Sequence, residues 1–218
     1  MSRRDEILEV AKAQIAERGY GNTSMRDIAE ASGLLVGSLY SHFRSKAEIV
    51  RDIVIRFYDE LLPAQQAVVD GDGTGADKFR AMVGAVHAVC SRHREELTIL
   101  HYDWHTLSGL EALSDVHIQS LETLDLWKAV IEEGKADGSI RSTVDAEAMV
   151  RIATSSIHAL IDTVRYATHP VPASGTPEAA ALLQEVLLVG ITAPTPARTK
   201  PRKAAPARRR QPATRRGG

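Results

Sequence analysis

The stretch "SGLLVGSLYSHFRSKAEIV", residues 32 to 50, decides how this chain is read. Apolar residues are interspersed with hydroxyls and two aromatic rings, Tyr40 and Phe43, and two glycines stand four apart. Gly33 ends whatever precedes it, and a short helix from about Val36 to Phe43 follows. Ser45 with Glu48 three residues on is a capping-box pattern opening a longer helix that reaches about Val69. Upstream, Ile7, Leu8, Ala11, Ile15 and Ala16 recur near the helical period over residues 5 to 18, and Gly19 closes that run. Ser24 with Asp27 forms another capping-box pattern, starting a helix to about Ser32 whose apolar side is Ile28, Ala29 and Ala31.

Two short helices joined through Gly33, with one helix before and a capped helix behind, make a helix-turn-helix pattern. In such a unit the second short helix enters the major groove while its neighbours hold its angle. Leu34, Leu39 and Phe43 are expected inside, and Ser38, Tyr40, Ser41 and His42 outside. Small hydroxyls suit close approach to phosphates and thymine methyls, a tyrosine adds a ring with a donor at its tip, and Lys46 can neutralise a phosphate. Tyr40 and Phe43 also have a plain reading as core aromatics, and His42 as a solvated surface residue.

"TSMRDIAEASGLLVGSLYSHFRSKAEIV" resembles the DNA-binding segment of the TetR family of transcriptional regulators, over residues 5 to about 55. The resemblance implies a homodimer whose two heads grip a palindromic double-stranded DNA operator. It also implies a larger helical domain that binds a small-molecule effector and dimerises through its last two helices. On matching positions it implies DNA contacts by Ser24, Arg26, Ser38, Tyr40, His42 and Lys46. One departure stands out: where many relatives carry Ser or Thr before the recognition helix, this chain has Leu35 and Val36, so the side-chain cap is expected to be missing.

Composition agrees with a helical protein. Of 218 residues 44% are hydrophobic but only 5% aromatic, so Ala, Leu, Val and Ile must supply the core. Further helices are expected near 76–92, 95–107, 112–137, 144–167 and 177–190, punctuated by "DGDGTG", "ADGSI" and "HPVPASGTP". The fold expected is all-α, divided into a head (1–50), an effector-binding and dimerisation domain (51–191) and a disordered basic tail (192–218). That tail holds nine of the 27 Lys and Arg and none of the 28 acids, which leaves the rest at about −10. It reads either as an arm adding phosphate contacts or as a solubilising extension. The charged, periodic N-terminus is no signal peptide, and no apolar run is long enough for a membrane span, so a cytoplasmic, nucleoid-associated location is expected.

Candidate effector contacts cluster in "HYDWHTL", residues 101 to 107. Tyr102, Trp104 and His105 are candidates there, together with Trp127, Arg165 and Tyr166. His101 and His105 lie one turn apart, but two ligands do not make a metal site, and no metal or cofactor is expected. Cys90, the lone cysteine, excludes an internal disulfide and reads as a small buried hydrophobe. No nucleophile elbow, phosphate loop or zinc-protease motif occurs, so no enzymatic activity is expected. "GLLVGSLYSHF" and "IDTVRYATHP" are similar to the branch of the family that represses lipid and steroid catabolism in response to acyl-CoA thioesters. By that resemblance Arg165 would meet a CoA phosphate and Tyr166 would stack on a ring; alternatively, Arg165 simply complements a helix C-terminus. The scarcity of aromatics argues for an aliphatic or thioester ligand over a planar drug-like one sensed by an efflux regulator. Activation rather than repression stays open.

Overall fold

A computed structural model describes residues 2–161 and 176–192 of the chain. They form nine α-helices: α1 (Arg3–Arg18), α2 (Met25–Ala31), α3 (Val36–His42), α4 (Lys46–Val69), α5 (Gly75–Arg92), α6 (Arg94–Leu107), α7 (Ser114–Asp137), α8 (Ala146–Ile161) and α9 (Pro177–Ile191). A single 3-10 turn, Glu111–Leu113, precedes α7, where the sequence pattern suggested one unbroken helix from 112. The expected extension of the eighth helix to 167, the basic tail, Arg165 and Tyr166 lie outside the described residues.

Local chemistry sets most helix starts. Ser2 with Asp5, Ser24 with Asp27 and Thr74 with Asp77 each form a reciprocal capping box at the N-termini of α1, α2 and α5. The box expected at Ser45 is only half made. Ser45 Oγ accepts from Glu48 N at 3.1 Å, but the Glu48 carboxylate turns to Arg44 N at 2.8 Å and to Arg4 at 3.1 Å. Leu35, the N-cap residue of α3, supplies no side-chain cap, as the sequence requires. Gly33, at φ 65°, makes the left-handed turn between α2 and α3 that a side chain would resist.

α1 to α3 form the head, and α4 runs out of it without interruption into the body, so the expected boundary at residue 50 falls inside one helix. α5 and α7 meet at glycines: a Cβ on Gly75 would come within 2.1 Å of Gly134 N, so neither helix could approach so closely with a larger residue there. Gly138, at φ 78°, ends α7. Beyond it Ile140 pairs with Thr192 in an isolated antiparallel bridge, and Arg141 N donates to Ile191 O at 2.9 Å, which ties the turn after α7 to the end of α9. One apolar cluster extends from Ile7 in the head to Ile191 in the body. Among the described residues no helix is long and apolar enough to cross a membrane.

Candidate nucleic-acid interface and effector cavity

α3 is amphipathic over only two turns. Leu39 and, just after the helix, Phe43 are buried, while Leu34 is half-buried beside them. Ser38, Tyr40 and Ser41 are exposed, with Tyr40 at 52%, and His42 is half-buried. Leu35, at 81% exposure, adds an apolar edge to the same face. Ser24 Oγ is occupied by its cap, and Arg26 stands exposed on α2.

Two cations fix the orientation of α3, and neither works as a surface charge. Arg4 on α1 donates to the carbonyl of His42 at the end of α3, and to Glu48 at 3.1 Å and Asp52 at 2.6 Å on α4. Its guanidinium also lies 3.9 Å above the centre of the Phe43 ring. Lys46 points inward: its ammonium donates to the carbonyls of Tyr20 and, at 2.6 Å, Thr23, and sits 4.0 Å from the Tyr20 ring centre. Burial pushes the Lys46 pKa below its usual value. With its hydrogens aimed at two carbonyls, Lys46 fastens the turn between α1 and α2 rather than presenting a free charge to phosphate.

The same turn is held from the body. Asp103 on α6 accepts from Tyr20 N at 2.9 Å, so the two sides of Tyr20's backbone are gripped by Asp103 and Lys46. Lys12 on α1 adds ion pairs to Glu96 at 3.3 Å and Glu95 at 3.7 Å on α6. α6 is therefore a second physical connection between head and body, beside the continuous α4.

Between α4, α5, α6, α7 and α8 lies a cavity of about 410 Å³, within the range of small-ligand sites. Of three Phe, five Tyr and two Trp in the chain, Phe57, Tyr58, Trp104 and Trp127 line it. The chain's aromatics are few but gathered here, so scarcity in the whole sequence says little about the cavity wall. Trp127 is 1% exposed and packs edge-on to Phe79, with ring centres 5.5 Å apart. Trp104 stacks on His117 at 5.7 Å, and His101 meets His158 at 5.4 Å. His101, His117 and Leu121 are exposed and mark the open side, whereas Trp127 and Gln65 close the other.

Of the candidate contacts in "HYDWH", Trp104 lines the cavity, but Tyr102 and His105 do not: Tyr102 is half-buried beside it and His105 is exposed. The phase of α6 explains this. His101 and Trp104, three apart, share the cavity side and leave the intervening positions to other surroundings. Among the described residues no group of three or more His, Cys, Asp or Glu is placed to hold a metal ion. Cys90 lines the cavity, and burial pushes its thiol up to about 12, which keeps it protonated and unreactive.

Gln65 on α4 did not emerge from sequence reasoning. It is 1% exposed, lines the cavity, and neither its amide nitrogen nor its oxygen has a hydrogen-bond partner among the described residues. A buried amide left unpaired costs about 1–3 kcal/mol. The signal was present: Phe57, Leu61 and Gln65 succeed one another every four residues along the buried face of α4, and only the last is polar.

A helical head with an exposed recognition face, tied by two helices to a body enclosing an apolar cavity, defines a DNA-binding regulator that responds to a ligand. Residues 7–53 match the bacterial regulatory proteins of the tetR family, and residues 72–162 match the tetracyclin repressor-like C-terminal domain. The chain is 33% identical over 150 residues to the HTH-type transcriptional repressor KstR2 of Mycolicibacterium smegmatis, covering 69% of this chain and 73% of that protein. It is 34% identical over 149 residues to KstR2 of Rhodococcus jostii, covering 68% and 73%. Among solved structures, the ketosteroid transcriptional regulator KstR2 of Mycobacterium tuberculosis superposes with a TM-score of 0.78 at 27% identity, covering 88% of this chain and 96% of that one. The chain belongs to the TetR family: it is a DNA-binding transcriptional regulator that acts as a homodimer, not an enzyme.

Proposed function

We propose that this regulator is a repressor that holds a palindromic operator through α3 of each protomer and releases it when an acyl-CoA thioester seats its acyl part in the cavity. The observation that carries this reading is the position of the cavity against both α4 and α6, the two helices that join body to head. A ligand that pushes Phe57 and Tyr58 on α4, or Trp104 on α6, moves elements that fix the angle of α3. By linkage, operator must weaken effector binding by the factor with which effector weakens operator binding; a 100-fold coupling corresponds to about 2.7 kcal/mol.

Ser24, Arg26, Ser38, Tyr40 and His42 are the proposed DNA contacts, with Lys46 acting through the turn it holds. The solved relative's description as a ketosteroid transcriptional regulator fits an acyl group with an apolar body. Arg165 and Tyr166 are the proposed contacts for the CoA end, and the basic tail the proposed source of further phosphate contacts. Dimerisation is assigned to α8 and α9. Leu182, Val186 and Val189 form an exposed apolar stripe on α9, and Ile152 is exposed on α8. The aromatic wall supports a second reading, in which a planar drug-like molecule is the effector.

The test is a gel shift on DNA flanking the chain's own gene, with long-chain acyl-CoA, a planar aromatic drug or neither, at fixed salt. The intact chain and one ending at residue 197 are compared. A discrete complex dissolved by acyl-CoA supports the thioester reading, and Arg165→Ala should then raise the acyl-CoA needed. Release by the aromatic compound alone transfers the proposal to the second reading. Loss of all discrete binding on removing the tail would overturn the role given to α3.

A further inference from the structure

The cavity has a polar end that the apolar ligand of the preceding section leaves unexplained. Gln65 presents one amide donor pair and one acceptor at the closed side, 1% exposed and unpaired among the described residues. Apart from the Tyr58 phenol, the hydroxyls around the cavity are committed as donors: Thr123 Oγ1 to Ser120 O at 2.8 Å, Thr154 Oγ1 to Val150 O at 2.9 Å, and Ser120 Oγ to His117 O at 2.7 Å. They retain only acceptor capacity. The other groups there, Trp127, Phe57, Leu61 and Cys90, are apolar in character, and the Cys90 thiol is held protonated. An apolar residue at position 65 would continue the stripe of Phe57 and Leu61, so among the described residues the amide is a stability cost without a return.

We propose that Gln65 is a specificity-determining anchor for the buried end of the effector, and that this end carries an oxygen, a ketone or hydroxyl, on an apolar body. The amide N–H donates to either oxygen, and the amide carbonyl accepts from a hydroxyl. A ligand whose far end is pure hydrocarbon buries the amide without a partner and is rejected relative to its oxygenated analogue. The oxygen-bearing end enters first, past His101 and His117, and the remainder lies toward the open side. This rests on the reading of the cavity as the effector site, not on the effector being a CoA thioester.

The test uses the full chain with two bicyclic probes, decalone and decalin, which differ in the presence of a ketone. Intrinsic tryptophan fluorescence reports occupancy, because both tryptophans line the cavity. No DNA or CoA is needed, so failure of acyl-CoA to release operator would leave the result intact. The wild-type protein should bind decalone about tenfold more tightly than decalin, the discrimination of one well-made hydrogen bond. Gln65→Leu and the length-matched Gln65→Met should erase that preference, bind decalin at least as well as wild type, and melt no lower than wild type. A preference that survives both substitutions, or no preference in the wild type, overturns the proposal. So does a lower melting temperature in both variants, since it would mean that the amide is satisfied in the free protein.

Discussion

The head and the cavity are built on opposite terms. Around α3, orientation is fixed by charged side chains reaching backbone carbonyls: Arg4 to His42 O, Lys46 to Tyr20 O and Thr23 O, with Asp103 taking the Tyr20 N–H. Around the cavity, the walls are apolar and aromatic, and a buried amide has no partner among the described residues. Charge-assisted bonds are short, directional and strong, so they define an angle; dispersion contacts tolerate small displacement and can be remade around a guest. A regulator that must present a helix at fixed spacing yet answer a ligand needs both kinds of construction in one chain.

The comparison can be broken most forcefully at Trp127. Trp127→Ala removes a ring that is 1% exposed and should cost about 3–5 kcal/mol, read as a lowered midpoint in urea. At a temperature where the variant is still folded, its operator affinity without effector should change little, because no clamp on α3 is touched. If operator binding collapses in the folded variant, cavity and head are not separately built.

Arg4→Ala should act the other way round. It removes charge-assisted bonds from the end of α3, costing about 2 kcal/mol of stability and at least about tenfold in operator affinity. Arg4→Lys should rescue little, since an ammonium cannot reproduce the fork that spans α3 and α4. Occupancy of the cavity, followed by tryptophan fluorescence, should be unaffected. Asp103→Ala sharpens the comparison at the seam. It frees α6 from Tyr20 while leaving Trp104 in the cavity, so effector and operator should both still bind, with the coupling between them reduced about tenfold, or about 1.4 kcal/mol. Operator titrations with and without effector measure that ratio directly.

Much of the fold was legible because it is local. The cap at Ser24, the stops at Gly33 and Gly138 and the apolar period of each helix are properties of short windows. The burial of Leu39 and Phe43 against the exposure of Ser38 and Tyr40 follows from the same periodicity. The clamps were illegible because they are long-range: Asp103 meets Tyr20 across 83 positions. Arg4 did leave a trace, since two arginines in the first turn of α1 oppose the helix dipole and so ask for another reason to be there. In "HYDWH" every position is chemically plausible as a ligand contact, and only the packed phase of α6 separates His101 and Trp104 from Tyr102 and His105. Whole-chain composition is silent on one point, because an average of 5% aromatics cannot reveal that the two tryptophans line one cavity.

The smallest expected effect tests whether the head's local caps matter beside its clamps. Hydrogen bonds from the Ser24 side chain and backbone hold the Asp27 carboxyl below its ordinary value. A carboxylate depressed in the folded state stabilises above its unfolded pKa, near 3.9, and that contribution is lost as pH falls through the lowered folded value. Asp27→Asn should therefore melt about 2 °C below wild type at pH 6, and the gap should close as pH is lowered through 4 toward 3. Asp27 is half-buried at the surface, and salt should reduce the shift only slightly, its main cause being short hydrogen bonds rather than distant charge. A gap that stays constant with pH would mean that the variant's cost lies in the altered geometry of the cap, and that the carboxylate's charge contributes nothing to holding α2 in front of α3.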